Sequence, residues 1–563
     1  MKKEWQLYET NEEEIQKISK KYNVNKLIAL VISNRKIKEK DIPIFLSPTR
    51  NDFHNPFLMP DMEKAVDRIL KAIKNKEKVI IYGDYDVDGI TSTTVLKRFL
   101  EDHKLLENVG VYIPNRLEEG YGLNKDSIEK ISNEKYNLMI TVDCGITGVE
   151  EIEYAKKLGI ETIVTDHHEV GEILPDAIAV VDCKRKDNQY PCRDLAGVGV
   201  AFKLIQALSI KLELKDDEYL KYLDIVCIGT ISDIVPLVDE NRVITKLGLM
   251  LVRQTKNMGL KSLLISSGFK KIDSTTISFG IAPKINACGR MGHAFDALNL
   301  FLSNDIYEVN ELTKKLNEYN SIRQEKERKI YQEAIEQIES KKLYEKNVIV
   351  VGGKNWHHGV IGIVSSKITD FYFKPSILLC YEKETAKGSG RSIPGFDLHD
   401  ALMQCSDTIE KFGGHSMAIG ITLNKENVSK FADELENIAE KEEVSKITPI
   451  IKIDGKLSLS EINREVVESI NLLEPFGEGN RMPIFLFKNL KIDSIRSLSN
   501  GKHIKMTLKE NNDIIDAIGF NMENLSNELK IGDKIDVVGT LEINTFNGVD
   551  TIQINIQDTM KSL

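Results

Sequence analysis

Between residues 78 and 181, five short runs of β-branched and aliphatic residues alternate with helical stretches. The runs are Lys78–Tyr82, Val109–Ile113, Leu138–Val142, Thr162–Thr165 and Ala177–Val181. Runs this short and this apolar, separated by helices, predict a doubly wound parallel sheet with both faces covered. This constrains function as well as fold, because the carboxyl ends of parallel strands share one edge, and ligands of open α/β sheets bind there.

The residues at those ends are acidic. Gly83-Asp84-Tyr85-Asp86-Val87-Asp88-Gly89 places three carboxylates at i, i+2 and i+4 directly after the first run. Asp143 follows the third run, and Asp166-His167-His168 the fourth. Asp233 ends a further apolar stretch, Leu223–Ile231. Singly, each would more often be a helix N-cap or a surface acid. Jointly they converge, and like charges so dense repel unless a cation lies among them. A calcium loop of the EF-hand type is excluded, because no Glu follows Gly89 at the required spacing and a strand precedes the motif. The donors are mainly carboxylate oxygens with one or two imidazoles and no thiolate, which favours Mn2+ or Mg2+ over structural zinc. Shared carboxylates suggest two ions, an arrangement suited to hydrolysis at phosphorus. No Gly-x-x-x-x-Gly-Lys-Ser/Thr loop is present, which excludes an ATP motor of that kind.

Beyond 181 the chain reads mostly as helix to about 302, followed by a highly charged segment, 307–341, without Gly or Pro and with apolar residues at helical spacing. That predicts one long, partly solvated helix acting as a strut. A second α/β unit follows: strands at Val348–Val351 and Ser376–Tyr381, helices at Val360–Thr369 and Leu398–Cys405. After about 448, short strands alternate with turns (Ser499-Asn500-Gly501, Glu510-Asn511-Asn512-Asp513, Phe546-Asn547-Gly548), predicting a small antiparallel barrel. The net charge of −10 argues against coating DNA by bulk charge. Locally, Arg481–Lys509 holds seven Lys/Arg against one acid, Asp493. With Phe485, Phe487 and His503 it fits a strand-binding barrel whose aromatics either serve as stacking platforms or, as is more common, fill the barrel core. No apolar stretch is long enough to span a bilayer, the N-terminus has no apolar signal core, and the seven cysteines form no Cys-x-x-Cys pair, so a cytoplasmic protein is expected.

The motifs Asp84-Tyr-Asp-Val-Asp-Gly, Val142-Asp143-Cys-Gly-Ile and Thr165-Asp166-His167-His168 together resemble the DHH phosphoesterase superfamily. The series continues in order with Leu195-Ala-Gly-Val-Gly-Val-Ala-Phe-Lys, Gly229-Thr-Ile-Ser-Asp233, Ile285-Asn286-Ala-Cys-Gly-Arg290-Met-Gly-His293 and Trp356-His357-His-Gly. It ends with Gly388-Ser-Gly-Arg391-Ser, Phe412-Gly-Gly-His415 and Glu474-Pro-Phe-Gly-Glu-Gly-Asn. This resembles the RecJ family of single-stranded-DNA-specific exonucleases over residues 40–560. The resemblance implies a DHH catalytic domain with its N-terminal segment (1–306), a connecting helix (307–342), an α/β DHHA1 domain (343–447) and an OB-fold barrel (448–563). It implies metal ligation by Asp84, Asp86, Asp88, Asp143, His167 and Asp233, and contact of His168 with the scissile phosphate. Asn286, Arg290 and His293 would supply a cation opposite the metals. Ser389 and Arg391 would bind the 5′-terminal phosphate, with Arg116 and Tyr121 near it. His357 and His415 would also touch substrate, although His358, standing where Pro is common, leaves the roles of 357 and 358 open. Tyr82 stands where the pyrophosphatase branch has a metal-binding His, which weakens that branch here. The implied activity is 5′-to-3′ release of mononucleotides from single-stranded DNA in recombination and repair, by a monomer, with a helicase and a single-strand-binding protein as partners. The alternative is a DHH-type phosphodiesterase for cyclic dinucleotides or short oligoribonucleotides, which lacks the C-terminal barrel. A DNA-binding factor that has lost its metal site should have replaced several acids, and here all are present.

Overall fold

The computed structural model describes residues 3–107, 109–498, 502–522, 525–546 and 548–562. The chain forms two compact units, one of residues His54–Asp233 and Gly248–Pro449, the other of Lys2–Phe53, Ile234–Leu247 and Ile450–Leu563.

The first unit contains a five-stranded parallel sheet, in spatial order Val109–Tyr112, Val79–Gly83, Leu138–Val142, Glu161–Asp166, Ala179–Asp182. Val79–Gly83 and Leu138–Val142 are buried at every position, as strands covered on both faces must be. Counted along the chain the order is 2-1-3-4-5, so the winding reverses between the Val79–Gly83 and Leu138–Val142 strands. The Val87–Asp102 helix begins directly after Asp86, whose side chain caps it.

The long helix runs over Ile306–Ser340, about 50 Å at 1.5 Å per residue. Its second half buries Ile330, Ala334 and Ile338 against Ile349, Trp356, Val360 and Val364. The second sheet is mixed, in order Lys411–His415, Ala418–Asn424, Thr385–Arg391, Ser376–Glu382, Ile349–Lys354; only the last pair is parallel. Residues 388–391, despite two glycines and a serine, are strand.

In the other unit, the strand Phe485–Leu498 pairs with both His503–Glu510 and Lys534–Phe546, which closes five strands into a barrel. Asn511 takes the left-handed conformation of a two-residue hairpin turn. The Ser499-Asn500-Gly501 turn and Asn547 of the Phe546-Asn547-Gly548 turn lie outside the described residues. Phe485 and Phe487 are fully buried in the barrel core and offer no stacking face, the core alternative of the two that the sequence leaves open. Alternation along the strand turns them inward and leaves Lys488 outside, and the bulge between Phe487 and Leu490 resets the alternation so that Lys491 is outside too. The Lys26–Asn34 helix joins this same core through Leu27, Ile28 and Val31. Residues 2–53, taken from the sequence as an extension of the catalytic domain, thus group with the barrel because of this apolar face.

Candidate metal centre

The acids gather at the winding reversal. Asp84 follows the first strand. Asp86 Oδ1 accepts from the amides of Asp88 and Gly89, at 2.9 and 3.1 Å. Asp88, in the first helical turn, accepts from Gly197 and Val198 at 2.6 and 2.8 Å, the amino end of the Gly197–Lys211 helix. Asp143 has φ +60°, a left-handed conformation that Asp and Asn tolerate better than most side chains. Gly197 must be bare, because a Cβ there would lie 2.6 Å from Asp143 Oδ1.

His167 ties these groups together. Its Nε2 is 3.1 Å from Asp143 Oδ1 and 3.7 Å from Asp88 Oδ2, and its Nδ1 is 3.7 Å from Asp233 Oδ2. Three sets of ligand atoms each lie within 4.8 Å of one another: Asp84, Asp86 and Asp143; Asp88, His167 and Asp233; Asp143, His167 and His168. Asp84 Oδ1, Asp143 Oδ1 and His167 Nε2 are buried and make no hydrogen bond; the 3.1 Å approach of the last two is not aligned as one. Buried polar atoms are seldom left so. Several lone pairs facing one space fit a hard divalent cation.

The electrostatics agree. Burial and then Asp86 push Asp84 well above the usual carboxylate range. Burial and then Asp88 do the same to Asp143. Burial and then Asp86 lift Asp88 to about 7, and burial and then Asp88 lift Asp233 to about 9. Burial, then His168, lowers His167 to about 3, so it is a neutral imidazole, the form that binds metals.

Asp166 is different. Its oxygens accept from the amides of Ile146, His167 and His168, and Oδ1 lies 2.7 Å from His168 Nδ1. With its acceptors thus engaged, it anchors His168. Burial opposes the His168 charge, but the bond to Asp166 prevails and raises its pKa to about 9. The Tyr121 hydroxyl lies 3.2 and 3.3 Å from the two His168 ring nitrogens.

Cationic groups face this edge. Asn286 Oδ1 accepts from the Val87 amide at 3.3 Å. Arg290 donates to the Gly359 carbonyl at 2.8 Å; burial, then the like charges of Arg116, Arg323 and Arg391, lower its pKa to about 9. Arg116 rests its guanidinium 4.9 Å from the Tyr85 ring centroid. Ser389 and Arg391 share one face of their strand, with Arg391 Nη1 3.1 Å from Ser389 Oγ. His357 precedes the His358–Tyr372 helix, its buried Nδ1 without a hydrogen bond, while His358 is exposed. His293 is exposed and stacks on Tyr319 of the long helix, at 4.8 Å between centroids, and His415 is exposed at the end of its strand. Neither belongs to the three ligand sets.

One buried acid escaped the sequence reading. Asp182 ends the fifth strand in register with Asp166, has an unpaired Oδ2, and is lifted by burial to about 7. The rule that found Asp143, an acid at a strand's carboxyl end, also finds Asp182.

Three family models match the chain: the DHH family N-terminal domain over 78–230, the DHHA1 domain over 345–441 and the RecJ OB domain over 453–558. The single-stranded-DNA-specific exonuclease RecJ of Bacillus subtilis (strain 168) is 39% identical, the match covering 100% of this chain and 71% of that one. The RecJ of Haemophilus influenzae is 33% identical over 90% of this chain and 92% of its own. The crystal structure of Thermus thermophilus RecJ in complex with Mn2+ superimposes with TM-score 0.86 at 27% identity, covering 100% of this chain and 80% of that one. Its complex with Mg2+ gives 0.80 at 26% identity, covering 100% of this chain and 79% of that one. With these matches along its whole length, the chain belongs to the RecJ family.

Proposed function

We propose that this chain is a single-stranded-DNA-specific exonuclease that hydrolyses from the 5′ end and releases mononucleotides, using two Mn2+ or Mg2+ ions. The observation that carries this is the meeting of buried, unpaired carboxylate and imidazole atoms at the winding reversal. Asp84, Asp86 and Asp143 would hold one ion, and Asp88, His167 and Asp233 the other. Such a pair would lower the pKa of a water so that hydroxide is available to attack phosphorus, and would supply charge to stabilise the departing oxygen.

The chain's own groups do the positioning. Asp166 would keep His168 protonated and aimed, so that its ring donates to a free oxygen of the scissile phosphate. Tyr121 would fix the tilt of that ring. Arg290, oriented by the Gly359 carbonyl, would approach the same phosphate, with Asn286 bracing the Asp84–Asp88 loop. Arg116, Ser389 and Arg391 would grip the 5′-terminal phosphate, and His357 would add its unpaired nitrogen.

For the division of labour we adopt a catalytic domain with its N-terminal segment over 1–306, that segment packing with the barrel, a connecting helix over 307–342, a DHHA1 domain over 343–447 and a strand-binding barrel over 448–563. Among the described residues no helix is long and apolar enough to cross a membrane. The seven cysteines are all buried and free, which supports a reducing cytoplasm. A monomer fed by a helicase and a single-strand-binding protein completes the reading. Hydrolysis of cyclic dinucleotides or short oligoribonucleotides is disfavoured by the barrel.

Digestion of a 5′-labelled single-stranded oligonucleotide in Mn2+ tests the proposal. The labelled mononucleotide should leave first, duplex should persist, and Asp143→Asn should be slower by orders of magnitude. Asn is chosen because it tolerates the left-handed backbone at 143. Release of internal fragments before the label, or a variant as fast as the wild type, refutes the reading.

A further inference from the structure

Residues Arg253 to Lys284 carry six basic residues (253, 256, 261, 270, 271 and 284) against one acid, Asp273, in a chain of net charge −10. Within this segment three apolar side chains stand in water: Ile265 and Phe279, each 75% exposed, and Phe269, 42% exposed. Exposed apolar clusters rimmed by charge mark interaction surfaces.

These side chains stand on adjoining elements. The helix Met258–Ser267 ends at Gly268, and the Phe269 ring then covers Gly280, where a Cβ would fall 2.9 Å from it. Lys284 Nζ ties back to Ser266 Oγ at 2.9 Å. Phe279 lies in a π-helical turn, Thr276–Ile281, a geometry frequent at functional sites. That turn runs directly into the Ala282–Arg290 helix. Phe279 precedes Asn286 by seven residues, about two turns or ~10 Å along a helix. Asn286 in turn holds the Val87 amide beside Asp86. The patch therefore continues from the metal edge along one helical run.

We propose that Phe269 and Phe279 are stacking platforms for bases of the single strand outside the catalytic cleft, with Lys261, Lys270 and Lys271 along its phosphates. The inference rests on the single-stranded-DNA reading above. Two aromatic faces in a basic field suit bases and phosphates, since stacking on aromatic rings is sequence-tolerant and lysines follow a backbone. The position beside Asn286 favours the strand over an acidic peptide, which would gain nothing from nearness to the acids.

The test is equilibrium binding in EDTA, where cleavage is silent, of labelled oligothymidylates too short to reach the patch (about 5 nucleotides) and long enough (about 40). The Phe269→Ala/Phe279→Ala variant should bind the long strand about tenfold more weakly and the short one as the wild type does. Phe279→Trp should keep wild-type affinity for the long strand, whereas Phe279→Leu, which keeps apolar bulk without a π face, should weaken it. Lys270→Glu/Lys271→Glu should flatten the salt dependence of long-strand binding. In Mn2+ the same long-strand loss should appear in KM with kcat unchanged. Unchanged long-strand affinity in the double Phe variant overturns the proposal, even if an acidic peptide then proves to bind the patch. Equal loss for both lengths overturns it as well, as a folding defect. A wild type that binds the long strand through these rings but never cuts it would sink the nuclease reading and not this one.

Discussion

In the parallel sheet the candidate ligands Asp84 and Asp143 sit just beyond a strand's end, whereas in the mixed sheet Ser389 and Arg391 sit inside a strand, two residues apart on one face. The first arrangement crowds carboxylates until their charge is untenable without a cation; the second displays a guanidinium and a hydroxyl toward Gly362 of a neighbouring helix. On the proposed reading, one sheet gathers what would bind metal and the other what would bind phosphate. Parallel strands bring distant acids together by topology alone, while the mixed sheet relies on alternation along a single strand.

The largest effect should come from breaking the acidic edge. Asp143→Asn removes a charge next to His167 and should lower kcat by roughly 10²–10³-fold or more, the scale of losing one charge-stabilising partner. The measurement is release of 5′ label at saturating strand. If Asp143→Asn loses no more than Arg391→Ala, the contrast between the sheets fails.

Next is the phosphate side. Arg391→Ala should weaken strands with a 5′-phosphate by roughly ten- to a hundredfold, as for a charge-assisted hydrogen bond worth about 1.5–3 kcal/mol, while 5′-hydroxyl strands change little. KM for the two substrates decides it. Gly362→Ala should act on the same substrate more mildly, since its Cβ would lie 2.9 Å from Ser389 Oγ and 3.3 Å from Arg391 Nη2.

Between the sheets in kind, Asp166→Asn should cost about 10–100-fold, the usual effect of losing the partner that orients an active-site histidine. It removes the bond that lifts His168 to about 9. The alkaline limb of the rate profile, where His168 loses its proton, should therefore move to lower pH. A limb that stays in place would separate Asp166 from His168.

The smallest effect is on stability. Without metal, Asp88 and Asp233 titrate at about 7 and about 9, far above an unfolded aspartate. Between those values and the unfolded pKa the folded chain holds more protons than the unfolded one, so the stability these groups give is present at low pH and is lost as pH rises. The Tm of the metal-free protein should fall from about pH 5 to about pH 9, and Mn2+ should restore more at the alkaline end. A metal-free Tm that rises over this window contradicts the crowding of acids.

Sequence reading found the parallel sheet because its strands are continuously apolar, and its edge because the acids come directly after them. It missed the strand at Thr385–Arg391 because Gly388, Ser389 and Gly390 have the composition of a turn; the glycines are there because Ile377, Leu379, Ile419 and Ile421 press on them from adjoining strands. Phe485 and Phe487 stay open between core and stacking rings in the sequence, because aromatics beside lysines do not declare which face of a strand is the core. The family resemblance groups His293 with Arg290; in the fold Arg290 ends its helix and His293 lies beyond it, stacked on Tyr319. Asp182 was open to the same rule as Asp143 and was passed over because the reading of its strand stopped at Val181.

Crystals grown with Mn2+ and measured at the manganese absorption edge test the central claim most directly. Two anomalous peaks should appear at the reversal of the parallel sheet, one among Asp84, Asp86 and Asp143 and the other among Asp88, His167 and Asp233. An acidic edge that carries no manganese at millimolar concentration, with those side chains closed on one another by hydrogen bonds, would contradict it.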